Sequence, residues 1–167
     1  MPRRLLVIGY GNPGRLDDGL GPAFAERVEQ LQLPGVTVES NYQLQIEDAV
    51  AVAAHDVVLF ADASVADPAP FACRPLAAQA AASFTSHSVA PEHVLHLAQT
   101  LFGARTTAYV LGIRGYEFNE FGEKLGAAAA ANLAAALRFF RGAAERDWEF
   151  CRPGAGPAAE CASEGDH

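Results

Sequence analysis

Residues 5–22 read Leu5-Leu-Val-Ile-Gly9-Tyr-Gly11-Asn-Pro-Gly14-Arg-Leu-Asp17-Asp18-Gly19-Leu-Gly21-Pro22, and this stretch decides the fold. The continuous apolar run 5–8, closed by glycines, predicts a short strand buried on both faces. Pro22 suits a first helical turn, and Phe24, Val28 and Leu31 follow at helical spacing, so residues 22–31 are predicted as a helix. A buried strand, a glycine-rich turn and an amphipathic helix together open a β-α-β unit.

The pattern continues outward. Residues 36–40 (Val-Thr-Val-Glu-Ser) alternate as a second strand. A helix over 46–54 leads to a third, buried strand over 56–62, Asp-Val-Val-Leu-Phe-Ala-Asp, which ends on an acid. After a turn-rich stretch, 71–76 reads as a short strand and 90–102 as a helix carrying Val94, Leu95, Leu97 and Ala98 on or near its apolar face. A strand over 106–115 and a long alanine-rich helix over 125–145, with Leu133, Leu137 and Phe140 at helical spacing, complete the order. Strands alternating with helices predict an α/β fold, a single-domain three-layer αβα sandwich around an open, mostly parallel twisted sheet. The domain is expected over 1–150. Beyond it, 151–167 turns rich in Pro, Gly, Ala, Glu and Ser and is expected to be a disordered tail.

Composition narrows the function classes. The chain has 167 residues, half of them apolar, enough for one sizeable core. Its formal net charge of −8 argues against a nucleic-acid or anionic-membrane binder, each of which needs a basic face. Cys73, Cys151 and Cys161 lack metal-type spacing and are odd in number, so neither a disulfide framework nor a zinc knuckle is indicated. No signal peptide or membrane span is read, and the expected location is cytoplasmic.

Gly9-Tyr-Gly11-Asn-Pro-Gly14 also satisfies the dinucleotide-binding pattern, with Glu39 as a ribose acid. That chemistry needs a helix to start inside the glycine run, so that free N–H groups meet a pyrophosphate. Here a second turn intervenes and places Asp17 and Asp18 beside the position the pyrophosphate would take. Nucleotide binding through Gly9, Gly11 and Gly14 is therefore the alternative reading. Asp17 as a helix cap is a simpler one.

Sites in open parallel sheets form beyond the carboxyl ends of the strands. Asp18 follows the first strand, Asp62 ends the third, and His87 precedes the 90–102 helix, so the three are expected at one rim. Two carboxylates and an imidazole suit a borderline divalent ion such as Zn, Ni, Co or Mn. From spacing alone, a turn or cap role for Asp62 and a polar loop role for His87 compete with this. His93 and His96 are placed on a helix near His87 but outside the ligand set, His55 on the opposite edge of the sheet, and His167 in the tail. Adjacent Asp17 and Asp18 are expected to add to divalent-ion affinity.

The blocks quoted resemble a known family. Gly9-Tyr-Gly11-Asn12 followed by Asp17-Asp18-Gly19-Leu-Gly21-Pro22 resembles the opening signature of the [NiFe]-hydrogenase maturation endopeptidases. Residues 57–63 (Val-Val-Leu-Phe-Ala-Asp62-Ala), Thr85-Ser86-His87 and 110–115 (Val-Leu-Gly-Ile-Arg-Gly) are similar to its later blocks, in the same order over residues 4–145. The resemblance implies a protease that removes the C-terminal extension of a hydrogenase large-subunit precursor. It implies that Asp18, Asp62 and His87 are the catalytic and metal-contacting residues, and that their nickel is carried by the substrate. The chain departs from the family over Asn41-Tyr42-Gln43-Leu44-Gln45, where the resemblance implies a Gly-rich turn and places substrate specificity, and the Gln43-Leu44 pair is read as the mark of a subgroup.

Overall fold

The first strand, β1 (Leu5–Tyr10), has its side chains divided between two cores, as a doubly buried strand requires. Leu5 and Val7 join Phe24, Phe140 and Trp148 on one face, while Leu6 and Ile8 join Val52, Phe60 and Val94 on the other. The four are fully buried, and each such side chain contributes roughly 1.5–3 kcal/mol through burial. The computed structural model describes residues 2–80 and 89–151. His87 and the expected tail from residue 152 onward lie outside them.

The remaining elements are α1 (Leu20–Gln30), β2 (Val36–Asn41), α2 (Asp48–Ala53), β3 (Val57–Ser64), β4 (Phe71–Pro75), α3 (Pro91–Phe102), β5 (Thr107–Arg114) and α4 (Ala127–Ala143). The expected three-layer α/β sandwich is the observed one. Helices α1 and α4 cover the Phe24–Phe140 side of the sheet, and α2 and α3 the Val52–Val94 side. The strand order is β2-β1-β3-β5-β4. All pairings are parallel except β4 on β5, which is antiparallel.

Four local differences from the sequence reading have physical causes. A 3-10 turn, Leu16–Gly19, precedes α1, and the helix itself begins at Leu20. The second helix begins at Asp48 rather than residue 46, because the Asp48 carboxylate accepts the Gln45 N–H at 2.8 Å and closes a turn there. Asp62 lies inside β3, which runs two residues further, to Ser64. The core extends to Cys151, one residue past the expected boundary. Trp148, Phe150 and Cys151 are buried, and the Cys151 thiol donates to the Cys73 carbonyl at 3.1 Å.

The chain leaves β1 toward β2 on one side, then crosses back to lay β3 on the other. A sheet that reverses in this way opens a crevice at the carboxyl ends of the two strands flanking the reversal. Here those strands are β1 and β3.

Candidate active site at the carboxyl rim

Glycines let β1, β3 and α1 approach closely enough to form the rim. A Cβ on Gly21 would run into the Tyr10 and Ala61 carbonyl oxygens, and one on Gly9 into the Gly21 carbonyl. Gly11 has φ +143, a backbone conformation that suits glycine, and sits against the Asp18 carbonyl. These glycines are used for close packing.

The loop's N–H groups are also committed internally. Gly11 donates to the Asn41 carbonyl (3.1 Å), Arg15 to the Asn12 carbonyl (3.1 Å) and Leu16 to the Gly122 carbonyl (2.8 Å). Asp17 donates to the Glu117 carbonyl (2.9 Å) and Asp18 to the Arg15 carbonyl (3.0 Å). The Asn12 N–H donates to Asp18 Oδ2 (2.8 Å), and the Gly14 N–H to Asn12 Oδ1 (2.9 Å). A phosphate cradle needs several of these donors free. The nucleotide reading of Gly9, Gly11 and Gly14 is not favoured.

Asp18 follows β1 and Asp62 lies on β3, so both stand at this rim. Their charges act on one another, and neither forms an ion pair among the described residues. Burial pushes the Asp62 carboxyl up to about 6, against the Ala63 N–H that donates to its Oδ1 at 2.8 Å. The Asp18 charge raises it further, and the Tyr10 hydroxyl opposes the rise. One step beyond the Gly9–Ala61 register pair of β1 and β3, Tyr10 and Asp62 end up side by side. Burial, first, and then the charges of Asp62 and Glu92 raise the Tyr10 phenol above its ordinary range, so it stays a neutral donor.

Asp17 does something else. It is 1% exposed, and it accepts N–H bonds from Tyr116 (2.8 Å) and Glu117 (3.0 Å) on Oδ2 and from Gly126 (3.0 Å) on Oδ1. Burial would raise its pKa, but the three donors outweigh this and hold the carboxyl below its ordinary value. The expectation that Asp17 joins Asp18 in attracting a cation is therefore corrected. So is the helix-cap reading, since Gly19 is the N-cap of α1 and makes no side-chain cap. Asp17 is a clip that ties residues 115–126 to the 3-10 turn.

Of the three expected site residues, Asp18 and Asp62 share the rim, while His87 lies outside the described residues. No group of three His, Cys, Asp or Glu side chains able to hold an ion is found among the described residues. His93 and His96 lie on α3 with their rings stacked at 6.2 Å between centroids. His55 is at the opposite edge, with Nδ1 2.7 Å from the Ala51 carbonyl and Nε2 3.0 Å from the Thr37 hydroxyl. Leu44 is buried in the Val52–Val94 core, and Gln43 is exposed. No helix among the described residues is long and apolar enough to cross a membrane. Sequence reading missed Tyr10 as a partner of Asp62. The sequence signal was the apolar run that Tyr10 follows, set beside a parallel strand that carries Asp62.

No family model and no curated protein matches the sequence. Solved structures do match. A [NiFe] hydrogenase maturation protease, HycI from Thermococcus kodakarensis KOD1, superimposes with a TM-score of 0.64 at 21% identity, covering 88% of this chain and 91% of that one. A hydrogenase 2 maturation peptidase from the Thaumarchaeota archaeon SCGC_AB-539-E09 gives a TM-score of 0.62 at 20% identity, with coverages of 87% and 99%. The maturating endopeptidase HybD from E. coli gives 0.58 at 22% identity, with coverages of 86% and 93%. The fold of this chain is the fold of those proteins.

Proposed function

We propose that this chain is a hydrogenase maturation endopeptidase, removing the C-terminal extension of a nickel-loaded [NiFe]-hydrogenase large-subunit precursor. The observation that carries the reading is the pair Asp18 and Asp62 at the switch point of a fold shared, over most of its length, with solved hydrogenase maturation proteases. In this reading Asp18, Asp62 and His87 contact nickel that arrives with the precursor. Metal loading then acts as a checkpoint, because only a loaded precursor completes the site. A divalent ion so placed polarises a scissile carbonyl or activates water.

The donor set supports this. Among the described residues neither the Asp18 nor the Asp62 carboxylate has a cation partner; burial makes Asp62 costly to ionise, and an incoming cation relieves that cost. Asp18 is oriented by the Asn12 N–H, and Asp62 by Ala63 N–H and Tyr10.

An in vitro processing assay on nickel-loaded precursor tests the assignment. Asp18→Ala, Asp62→Ala and His87→Ala are each expected to slow cleavage by about 100-fold or more. Normal rates in all three variants would falsify it.

A further inference from the structure

Tyr10 carries the single polar side chain of β1, and it stands where that strand ends at the crevice. Side chains alternate between the faces of a strand, so Leu6, Ile8 and Tyr10 share one face of β1. Val58, Phe60 and Asp62 share the same face of β3. The two strands run parallel, with Leu6 opposite Val58 and Ile8 opposite Phe60. One step further along that face, Tyr10 and Asp62 are neighbours across strands that lie about 4.8 Å apart. The Tyr10 ring packs against the Val52–Val94 core, and its hydroxyl donates to the Asp62 carboxylate. Glu92 in the first turn of α3 and Arg74 on β4 also act on the phenol, through their charges.

A carboxylate held at one point still pivots about it. The Ala63 N–H holds Asp62 Oδ1 at 2.8 Å, but it belongs to the adjoining residue of the same strand. Tyr10 supplies a second hold from a different strand, and packing of its ring fixes where the hydroxyl stands. Two holds from two strands set the directions in which the remaining lone pairs of Asp62 point. We propose that Tyr10 is a positioning residue for cleavage: its hydroxyl, delivered by the β1–β3 register, keeps the Asp62 carboxylate in the orientation in which it meets the substrate-borne cation. The proposal rests on the proteolytic reading above and gives that site a supporting residue that does not itself touch the metal.

Tyr10→Phe tests this, because phenylalanine keeps the packed ring and removes only the hydroxyl. In steady-state processing of nickel-loaded precursor, the variant is expected to lower kcat by about 10-fold, with a smaller rise in KM. An unchanged kcat overturns the proposal, as does a change confined to KM, which would make the hydroxyl a substrate contact. A second measurement needs no substrate. Urea midpoints of wild type, Tyr10→Phe, Asp62→Asn and the double variant are compared at pH 8, in metal-free protein with chelator present. Tyr10→Phe is expected to lower the midpoint more in wild type than in the Asp62→Asn background, since a hydroxyl donates more strongly to a carboxylate than to an amide. Equal shifts in the two backgrounds mean that ring and acid act independently, and also overturn the proposal. A wild type that cleaves no loaded precursor overturns the proteolytic reading and the role of Tyr10 with it. An active wild type with an equally active Tyr10→Phe variant overturns the role of Tyr10 alone.

Discussion

The two edges of one sheet treat their charges in opposite ways. At the amino edge, Arg3 and Arg4 are each paired with an acid. The Arg3 side chain donates to the Asp147 carbonyl at 2.7 and 3.0 Å, and its backbone N–H donates to Asp147 Oδ1 at 2.9 Å. Arg4 donates through its backbone to Asp56 Oδ2 at 2.8 Å and adds an ion pair at 3.6 Å. His55 and Thr106 are bonded to main-chain carbonyls of the α2 end. The shallow pocket lined by Arg3, Arg4, His55 and Arg105 is thus largely spoken for. At the carboxyl edge, Asp18 and Asp62 share the rim, and neither is ion-paired among the described residues. The amino edge closes the sheet, and the carboxyl edge leaves a charge imbalance for something else to settle.

Asp17 is the exception that sharpens the contrast. It stands at the carboxyl edge, next to Asp18, but is as fully partnered as any group at the amino edge. Asp17→Asn would place an amide N–H₂ against one or more of three backbone donors in a buried site. The expected cost is about 2–4 kcal/mol, read as a lowered urea midpoint at pH 7. The sign with pH follows from the depressed pKa. Asp17 contributes stability that is present above its unfolded value near ~4 and is lost as pH falls through its lower folded value. The gap between wild type and Asp17→Asn should therefore be full at neutral pH and narrow in acid. A variant as stable as wild type at pH 7 would return Asp17 to the functional pair.

These two acids also mark where sequence reading stops. The run at Leu5–Ile8, the Phe24–Val28–Leu31 spacing and the acid closing the 56–62 run are local patterns. They were enough to place a buried parallel strand, its covering helix, and Asp18 and Asp62 at one rim. Asp17 differs from Asp18 through donors about a hundred positions away, at Tyr116, Glu117 and Gly126, and nothing within the 5–22 stretch encodes that. The antiparallel direction of β4 was invisible for a similar reason, since it depends on which edge of the sheet remains free after β5 has paired with β3. Tyr10 sits inside the glycine pattern, between Gly9 and Gly11. Only the parallel register of β1 on β3 brings it to Asp62.

A smaller effect, of opposite sign, separates Asp62 from Asp17. Burial raises the Asp62 carboxyl to about 6 from an unfolded value of 3.8, so the folded protein holds this proton more tightly than the unfolded chain does. Stability from this group then declines as pH rises from ~4 through ~6 and stays lower above that. Asp62→Asn removes the penalty. In metal-free protein with chelator present, it is expected to be more stable than wild type at pH 8 by on the order of 1–2 kcal/mol, and to match it near pH 4. The same variant should be defective in processing. Gaining stability while losing activity is the behaviour expected of a group held in place for function. Loss of stability at pH 8 would instead assign Asp62 to the structural class of Asp17.

The amino edge supplies the smallest effect and the most direct check on the contrast. The Arg4 side chain is 64% exposed and its partner Asp56 46%, so their ion pair is screened by water. The stronger contact there is the Arg4 backbone N–H on Asp56, which a side-chain change leaves in place. That same backbone bond is the main reason the Asp56 carboxyl lies below its ordinary value, against the opposing effect of burial. Arg4→Met keeps the aliphatic stem and removes only the guanidinium. It is expected to cost no more than about 0.5 kcal/mol at low salt, and less at high salt. Processing of nickel-loaded precursor should be unchanged, because Arg4 and the Asp18–Asp62 crevice lie at opposite ends of β1. A processing defect in Arg4→Met without a stability defect would break the division between the two edges, since it would mean that the amino edge also reads the substrate.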